Sequence, residues 1–184
     1  MSIQLIRNYI RSKQWDNAEA MIRANPDEVK KDRYLLWDAI WRKPTYSLVR
    51  ALIDADPEQA QTISGNGYQL HRAIKEGNTS DIILLILDAY PEASKVKDPD
   101  GWYPIHKAVE NKCSLEVITK LVNAYEDGLS KEYVGDLPLH IAMNRKYDSS
   151  MLLYFIEKYP QAVSCKSSDD QYPIHKAINS KCSH

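Results

Sequence analysis

A histidine set in the same short pattern returns along this chain at intervals of 35, 34 and 35 residues, as His71, His106, His140 and His175. The last three copies read Tyr103-Pro104-Ile105-His106, Leu137-Pro138-Leu139-His140 and Tyr172-Pro173-Ile174-His175, with Tyr68-Gln69-Leu70-His71 as a weaker copy upstream. A period that regular argues against a globule built around one centre. It implies supersecondary units stacked side by side, each burying its apolar face on its neighbours. Function must then lie on a surface that several units share.

The unit over 101–134 shows how one copy folds. Pro104 suits the first turn of a helix, where its missing N–H would be unpaired anyway, and Ile105, Ala108 and Val109 follow at helical spacing. This helix must stop near Asn111 to Cys113, because Ser114 is a good N-cap for a second helix carrying Val117, Ile118, Leu121 and Val122. Two antiparallel helices of about ten residues each leave roughly a dozen residues of the period for a projecting connection. Asp98-Pro99-Asp100-Gly101 reads there as a tight turn. Other second helices run through Ile82, Ile83, Leu85, Ile86 and Leu87 and through Leu152, Leu153, Phe155 and Ile156, and Pro57, Pro91 and Pro160 mark their ends. In the copy between the last two, Gly128 of Glu126-Asp127-Gly128 is expected to break the helix instead. Tyr34 to Ile40 falls in register upstream, with Trp37 at the histidine position and Ala39 matching Ala73. Trp15, Ala18, Met21 and Ile22 before Pro26 read as the second helix of a worn first copy, 31 residues before Pro57. The expected organisation is one solenoid domain over 1–184. It comprises a divergent capping repeat over 1–31, repeats over 32–65, 66–100, 101–134 and 135–169, and a C-terminal half repeat over 170–184. Tyr172 to Ser180 would form the first helix of that half repeat, packing Ile174 and Ile178 on the fifth repeat, and would either cap the stack by presenting Lys176 and Asn179 outward or belong to a repeat of a longer protein.

Pro104, His106 and Ala108, then Pro138, His140 and Ala142, then Pro173, His175 and Ala177 give the chain a resemblance to the ankyrin repeat family, which has a 33-residue period and the signature Thr-Pro-Leu-His-x-Ala. The resemblance covers nearly the whole chain. Tyr or Leu replaces the Thr, a Tyr-Pro or Asp-Pro step replaces the usual glycine after the second helix, and the N-terminal repeats lack the histidine. Leu-Pro-Leu-His together with Ala89-Tyr90-Pro91-Glu92-Ala93 looks like divergent repeats of algae and other protists. Tetratricopeptide repeats share a similar period, but their longer helices leave no room for the Asp-Gly turn.

The fold implied by this resemblance is all-α, an ankyrin-type helical repeat solenoid with β-turn fingers. The function implied is a non-catalytic protein–protein interaction module or adaptor, with a structural subunit or fragment of a larger ankyrin-repeat assembly as the alternative. The resemblance also implies that the histidines bond to backbone groups and tie the turn of one repeat to the next. Carried over position by position, the partner-binding residues are Pro99, Asp100, Trp102, Glu110 and Asn111; Tyr133, Val134, Asp136, Asn144 and Arg145; Asp169, Gln171 and Asn179; and Trp41, Arg42, Lys75 and Glu76. Trp102 and Tyr133 stand out as two aromatic anchors, because aromatics dominate interface hot spots. The competing reading folds Trp102 over Tyr103 or the next finger as packing.

Sharper chemistry finds little support. Stacked helices lie about 8 to 10 Å apart and metal–nitrogen bonds are near 2 Å, so one histidine per repeat cannot share an ion. Cys113 follows His106 by seven residues, about 10 Å of helical rise, too far for a Cys–His nucleophile. Cys113 and Cys182 occupy equivalent places two repeats apart and read as packing residues at inter-helix turns. Asp98 with Asp100, and Asp169 with Asp170, lack the following Glu of a calcium loop and read as turn residues. No phosphate loop, nucleophile elbow or zinc-binding helix motif appears, so no cofactor and no metal is expected. Lys+Arg at 24 against Asp+Glu at 25 leaves none of the basic excess that nucleic acid or anionic membranes require. Neither a signal-like apolar run nor a membrane span follows Met1-Ser2-Ile3-Gln4, and the 3 Cys make no disulfide framework. A cytoplasmic or nuclear monomer that binds a protein partner is the expectation.

Overall fold

The computed structural model describes residues 3–65 and 67–182. The side chains of Lys181 and Cys182 lie outside the described residues, and with them the packing role expected of Cys182. The described residues are 67% helical and divide into two compact units, Met1–Ala93 and Ser94–His184.

The first unit holds α1 (Ile3–Arg11), α2 (Trp15–Ala24), the single turn α3 (Pro26–Val29), α4 (Leu35–Ile40), α5 (Tyr46–Ala55), a 3-10 turn over Pro57–Gln61, strands β1 (Ile63–Ser64) and β2 (Gly67–Tyr68), α6 (Gln69–Lys75) and α7 (Ser80–Ala89). β1 and β2 pair antiparallel, Ile63 opposite Tyr68, as a short finger. A further 3-10 turn, Pro91–Lys95, follows α7. The second unit holds α8 (Pro104–Glu110), α9 (Leu115–Ala124), a 3-10 turn over Glu126–Ser130, α10 (Pro138–Asn144), α11 (Ser149–Lys158), a 3-10 turn over Pro160–Ser164 and α12 (Pro173–Cys182).

From α4 to the 3-10 turn over Pro160–Ser164, each repeat is thus a short first helix, a ten-residue second helix and a 3-10 turn. Second helices are capped as their sequences ask: Thr45, Ser114 and Asp148 accept hydrogen bonds from Leu48, Val117 and Met151 N–H. Their apolar stripes, such as Val117, Ile118, Leu121 and Val122, are buried against first-helix residues such as Ile105, Ala108 and Val109. First helices end in a device the sequence hides. Lys13, Lys43, Gly77, Lys112 and Lys146 all have left-handed backbones just past a first helix. Around Lys112, Cys113 N–H reaches Ala108 C=O at 2.9 Å and Lys112 N–H reaches Val109 C=O at 3.2 Å, the pairing of a Schellman end. Lysine occupies a position that glycine would fill without strain, so this stop has no glycine to announce it.

Gly128 does not break a helix, contrary to expectation. α9 has already ended at Ala124, and Gly128 lies buried in the following 3-10 turn. A Cβ there would sit 3.2 Å from the Tyr125 ring and 3.3 Å from Ile105. Glycine is needed for close packing of the turn under α8, not for its backbone angle.

His106 and His140 are structural, but they close their own repeats. His106 Nε2 lies 2.9 Å from Lys131 C=O, and His140 Nε2 lies 3.2 Å from Cys165 C=O, each carbonyl just past the 3-10 turn of the same repeat. Leu137 N–H donates to His140 Nδ1 at 3.1 Å, so Nε2 carries the ring hydrogen and donates to Cys165. The bond therefore joins the start of a first helix to the exit of its own repeat, not one turn to the next. In the repeat with Trp37 at the histidine position, the fully buried Gln59 takes over: it accepts from Leu36 N–H at 3.2 Å and donates to Asp32 C=O at 2.9 Å.

Burial pushes the His106 imidazole down to about 4, against the pull of its Lys131 bond. As pH falls below about 6.5 the unfolded chain takes up a proton that the folded form refuses until about pH 4, so stability is lost across that window. His106→Ala is expected to cost about 1 to 3 kcal/mol at neutral pH and to flatten this acid slope. Urea titrations between pH 7 and pH 4.5 check both; an unchanged slope in the variant would contradict the assignment.

The expectation for α12 also needs correction. Ile174 and Ile178 are 56% and 52% exposed, whereas their counterparts Ile105 and Val109 are buried. α12 packs on α10 through its other face, which carries the half-buried Lys176 inward rather than outward; only Asn179 is exposed as expected.

Candidate functional site

The three fingers of the second unit have two geometries. In the finger before α8, Asp98 N–H bonds Trp102 C=O at 2.9 Å and Gly101 N–H bonds Asp98 C=O at 2.9 Å, a three-residue loop with Gly101 in the left-handed region. The Asp98 carboxylate organises it: Oδ1 accepts from Asp100 N–H at 3.1 Å and Trp102 N–H at 2.8 Å, while Oδ2 pairs with Lys107 Nζ on α8. Both charged groups of that pair are buried, so it locks the finger to the helix. The finger before α12 repeats the loop, with Asp170 left-handed and Ser167 in the role of Asp98.

The finger between them is tighter. Tyr133 and Asp136 exchange two backbone bonds of 2.9 Å, leaving a two-residue loop of Val134 and Gly135 with φ of 51° and 81°. Left-handed backbone at both positions is what a type I′ hairpin requires, and Asn-Gly is the usual occupant. A β-branched residue there costs on the order of 1 to 3 kcal/mol. Neighbours hold it in place: Ser168 Oγ donates to Val134 C=O at 2.9 Å, and a Cβ on Gly135 would lie 2.5 Å from that of Ser168. Val134 is nevertheless 74% exposed.

These fingers and the ends of α8, α10 and α12 enclose a groove of about 360 Å³, lined by Trp102, Glu110, Tyr133, Val134, Asp136, Ile141, Asn144, Ser168, Asp169 and Lys176. Trp102 lies on Tyr133 with ring centroids 3.6 Å apart and planes 23° from parallel. The two aromatics thus form one stacked, half-buried platform rather than two separate anchors, because Trp102 folds over the next finger. Lys176 Nζ sits 2.9 Å from Asp169 and 3.5 Å from Asp136. Burial works against the Lys176 ammonium, but the two carboxylates outweigh it and raise its pKa. Hydrogen bonds from Ser167 and Lys176 pull the Asp169 carboxyl down to about 2. Glu110 on α8 is paired with Arg145 at the end of α10.

The groove gathers seven of the residues singled out from sequence. Arg145 stands beside it through Glu110. Pro99 and Asp100 are exposed on the first finger, outside the groove lining. Asn111 turns its amide back onto Lys107 C=O at 2.9 Å, closing α8. Gln171 accepts from Asn179 at 3.1 Å on α12. Trp41, Arg42, Lys75 and Glu76 belong to the first unit, where Trp41 is 57% exposed with the Arg42 guanidinium 5.1 Å from its ring centre. Ile141, Ser168 and Lys176 were missed. Lys176 carried a signal, since it stands at the position of Lys107, whose partner Asp98 the turn motif already marked.

A family model described as "Ankyrin repeats (3 copies)" matches residues 70–164. The chain therefore belongs to the ankyrin repeat family, in keeping with its helix pairs, fingers and closing histidines. Repeats of this family are generally protein–protein interaction modules and are typically not catalytic. A comparison with curated proteins gave no significant match. No helix among the described residues is long and apolar enough to cross a membrane.

Proposed function

We propose that the chain is a non-catalytic adaptor that binds a protein partner through the finger and first-helix surface of its second unit. The observation that carries this reading is the stacked Trp102–Tyr133 platform, flanked by the exposed Val134 and rimmed by Glu110, Asn144, Arg145 and Asp169. An aromatic centre with a polar rim is the usual anatomy of a recognition patch. A reducing compartment, cytoplasm or nucleus, suits the free thiols of Cys113 and Cys165.

Hydrogen exchange on the partner-bound protein tests the surface. Protection is expected in residues 98–102, 132–136 and 167–171 and at the ends of α8 and α10. Protection confined to the outer face of α9 and α11, around Lys120 and Glu157, would place binding elsewhere.

One observation favours a second reading, that the chain is a subunit of a larger ankyrin-repeat assembly. Ile174 and Ile178 are exposed where their counterparts in the repeat before last are covered. A strict monomer across a concentration series in sedimentation would count against self-assembly through that face.

A further inference from the structure

Three observations say what kind of segment the groove takes. Its lining carries three carboxylates, Glu110, Asp136 and Asp169, against the single ammonium of Lys176. Arg145 satisfies Glu110, but Lys176 is shared between the other two, and Asp136 Oδ1 receives no hydrogen bond. Asp100 on the first finger and Glu132 on the middle one add two exposed carboxylates. The local balance is therefore negative in a chain whose overall charge is only -1.

The second observation is the position of Val134. The equivalent places in the neighbouring fingers hold Asp100 and Asp169, ordinary turn residues. Among the described residues, only here is a branched aliphatic side chain held in a left-handed turn and pointed into water, without burial to offset the strain. Strain of this kind, imposed by Ser168 and Gly135, points to a contact made outside the chain. The third is the aromatic platform, which already draws a cation of this chain, since the Lys107 ammonium lies 5.8 Å from the Trp102 ring centre on a ring that also stacks on Tyr133. The same chain uses that attraction in its first unit, where the Arg72 guanidinium lies 3.7 Å from the Trp37 ring centre.

Resting on the groove reading above, we infer that the partner segment is basic: an extended stretch that seats an aliphatic side chain on Val134 and brings arginine or lysine side chains to Trp102, Asp136 and Asp169. Charge complementarity selects this occupant over an acidic or neutral one.

The test is selection from a phage-displayed library of random peptides of about twelve residues, panned on the full chain and in parallel on Trp102→Ala. Selected peptides are expected to be rich in Arg and Lys beside an aliphatic residue and to be lost on Trp102→Ala. The best of them, made synthetically, should bind about tenfold more weakly to Asp136→Asn/Asp169→Asn and at least fivefold more weakly to Val134→Asn. That last variant should also melt about 2 to 4 °C higher, since the strain is relieved. Peptides that are acidic or uncharged yet depend on Trp102 would overturn the basic-segment inference and leave the groove reading standing. Peptides indifferent to Trp102→Ala, or no enrichment at all, would overturn both. A Val134→Asn variant that binds as tightly as the parent would remove Val134 from the site.

Discussion

Asp98→Ala is expected to destabilise the second unit by about 3 to 5 kcal/mol, the largest effect of any single substitution considered for it. Asp98 and Lys107 are both buried, and the carboxylate also receives the N–H groups of Asp100 and Trp102. Its removal leaves an ammonium without a counter-charge in a low-dielectric place and takes the acceptor from two N–H donors of the finger at once. Asp98→Asn separates the two losses, because an amide oxygen can still accept from the finger while the charge is gone. Adding Lys107→Met to Asp98→Ala should recover part of the stability, since a buried pair costs less to replace than to break. Urea unfolding followed by circular dichroism checks all three. A loss below about 1 kcal/mol for Asp98→Ala would mean that water screens the pair as it screens surface ion pairs.

Asp98 also shows what the sequence could and could not reveal. The histidine period, the Ser114 cap and the apolar stripes of the second helices were legible because each acts within a few residues or repeats at a fixed interval. The Asp-Gly turn was legible too, as a turn. That its first carboxylate reaches nine residues on to Lys107 was not, because nothing in the local pattern distinguishes a buried lysine from a solvated one. The stop near Asn111 to Cys113 was legible from the Ser114 cap, but the left-handed backbone at Lys112 and Lys146 was not, because that conformation is expected of glycine and here falls on lysine. Gly128 was the reverse case, a glycine read as backbone freedom whose purpose is close contact with Tyr125 and Ile105.

At the candidate site the sequence located the fingers and most of the lining but not their arrangement. Position-by-position transfer named Trp102, Tyr133 and Val134 separately. The competing reading, in which Trp102 folds over the next finger, matches the stacking on Tyr133, but nothing in the sequence told that the middle finger is one residue tighter and turns Val134 outward. The Ile174 and Ile178 error came from assuming that equivalent positions are equally covered, which holds only where a following second helix lies over them.

Recognition at the Trp102–Tyr133 platform can be measured by the affinity of Trp102→Ala for the bound partner beside that of Lys120→Ala and Glu157→Ala on the outer face. Truncation removes a large aromatic surface from the middle of the patch, and the remaining Tyr133 ring loses its stacking neighbour. A loss of about 2 to 4 kcal/mol is expected, roughly thirtyfold or more in Kd, with the circular dichroism spectrum unchanged. The outer-face variants should bind within about a factor of two of the parent, as residues outside an interface do. Full affinity in Trp102→Ala, together with loss of binding in Lys120→Ala or Glu157→Ala, would contradict the account.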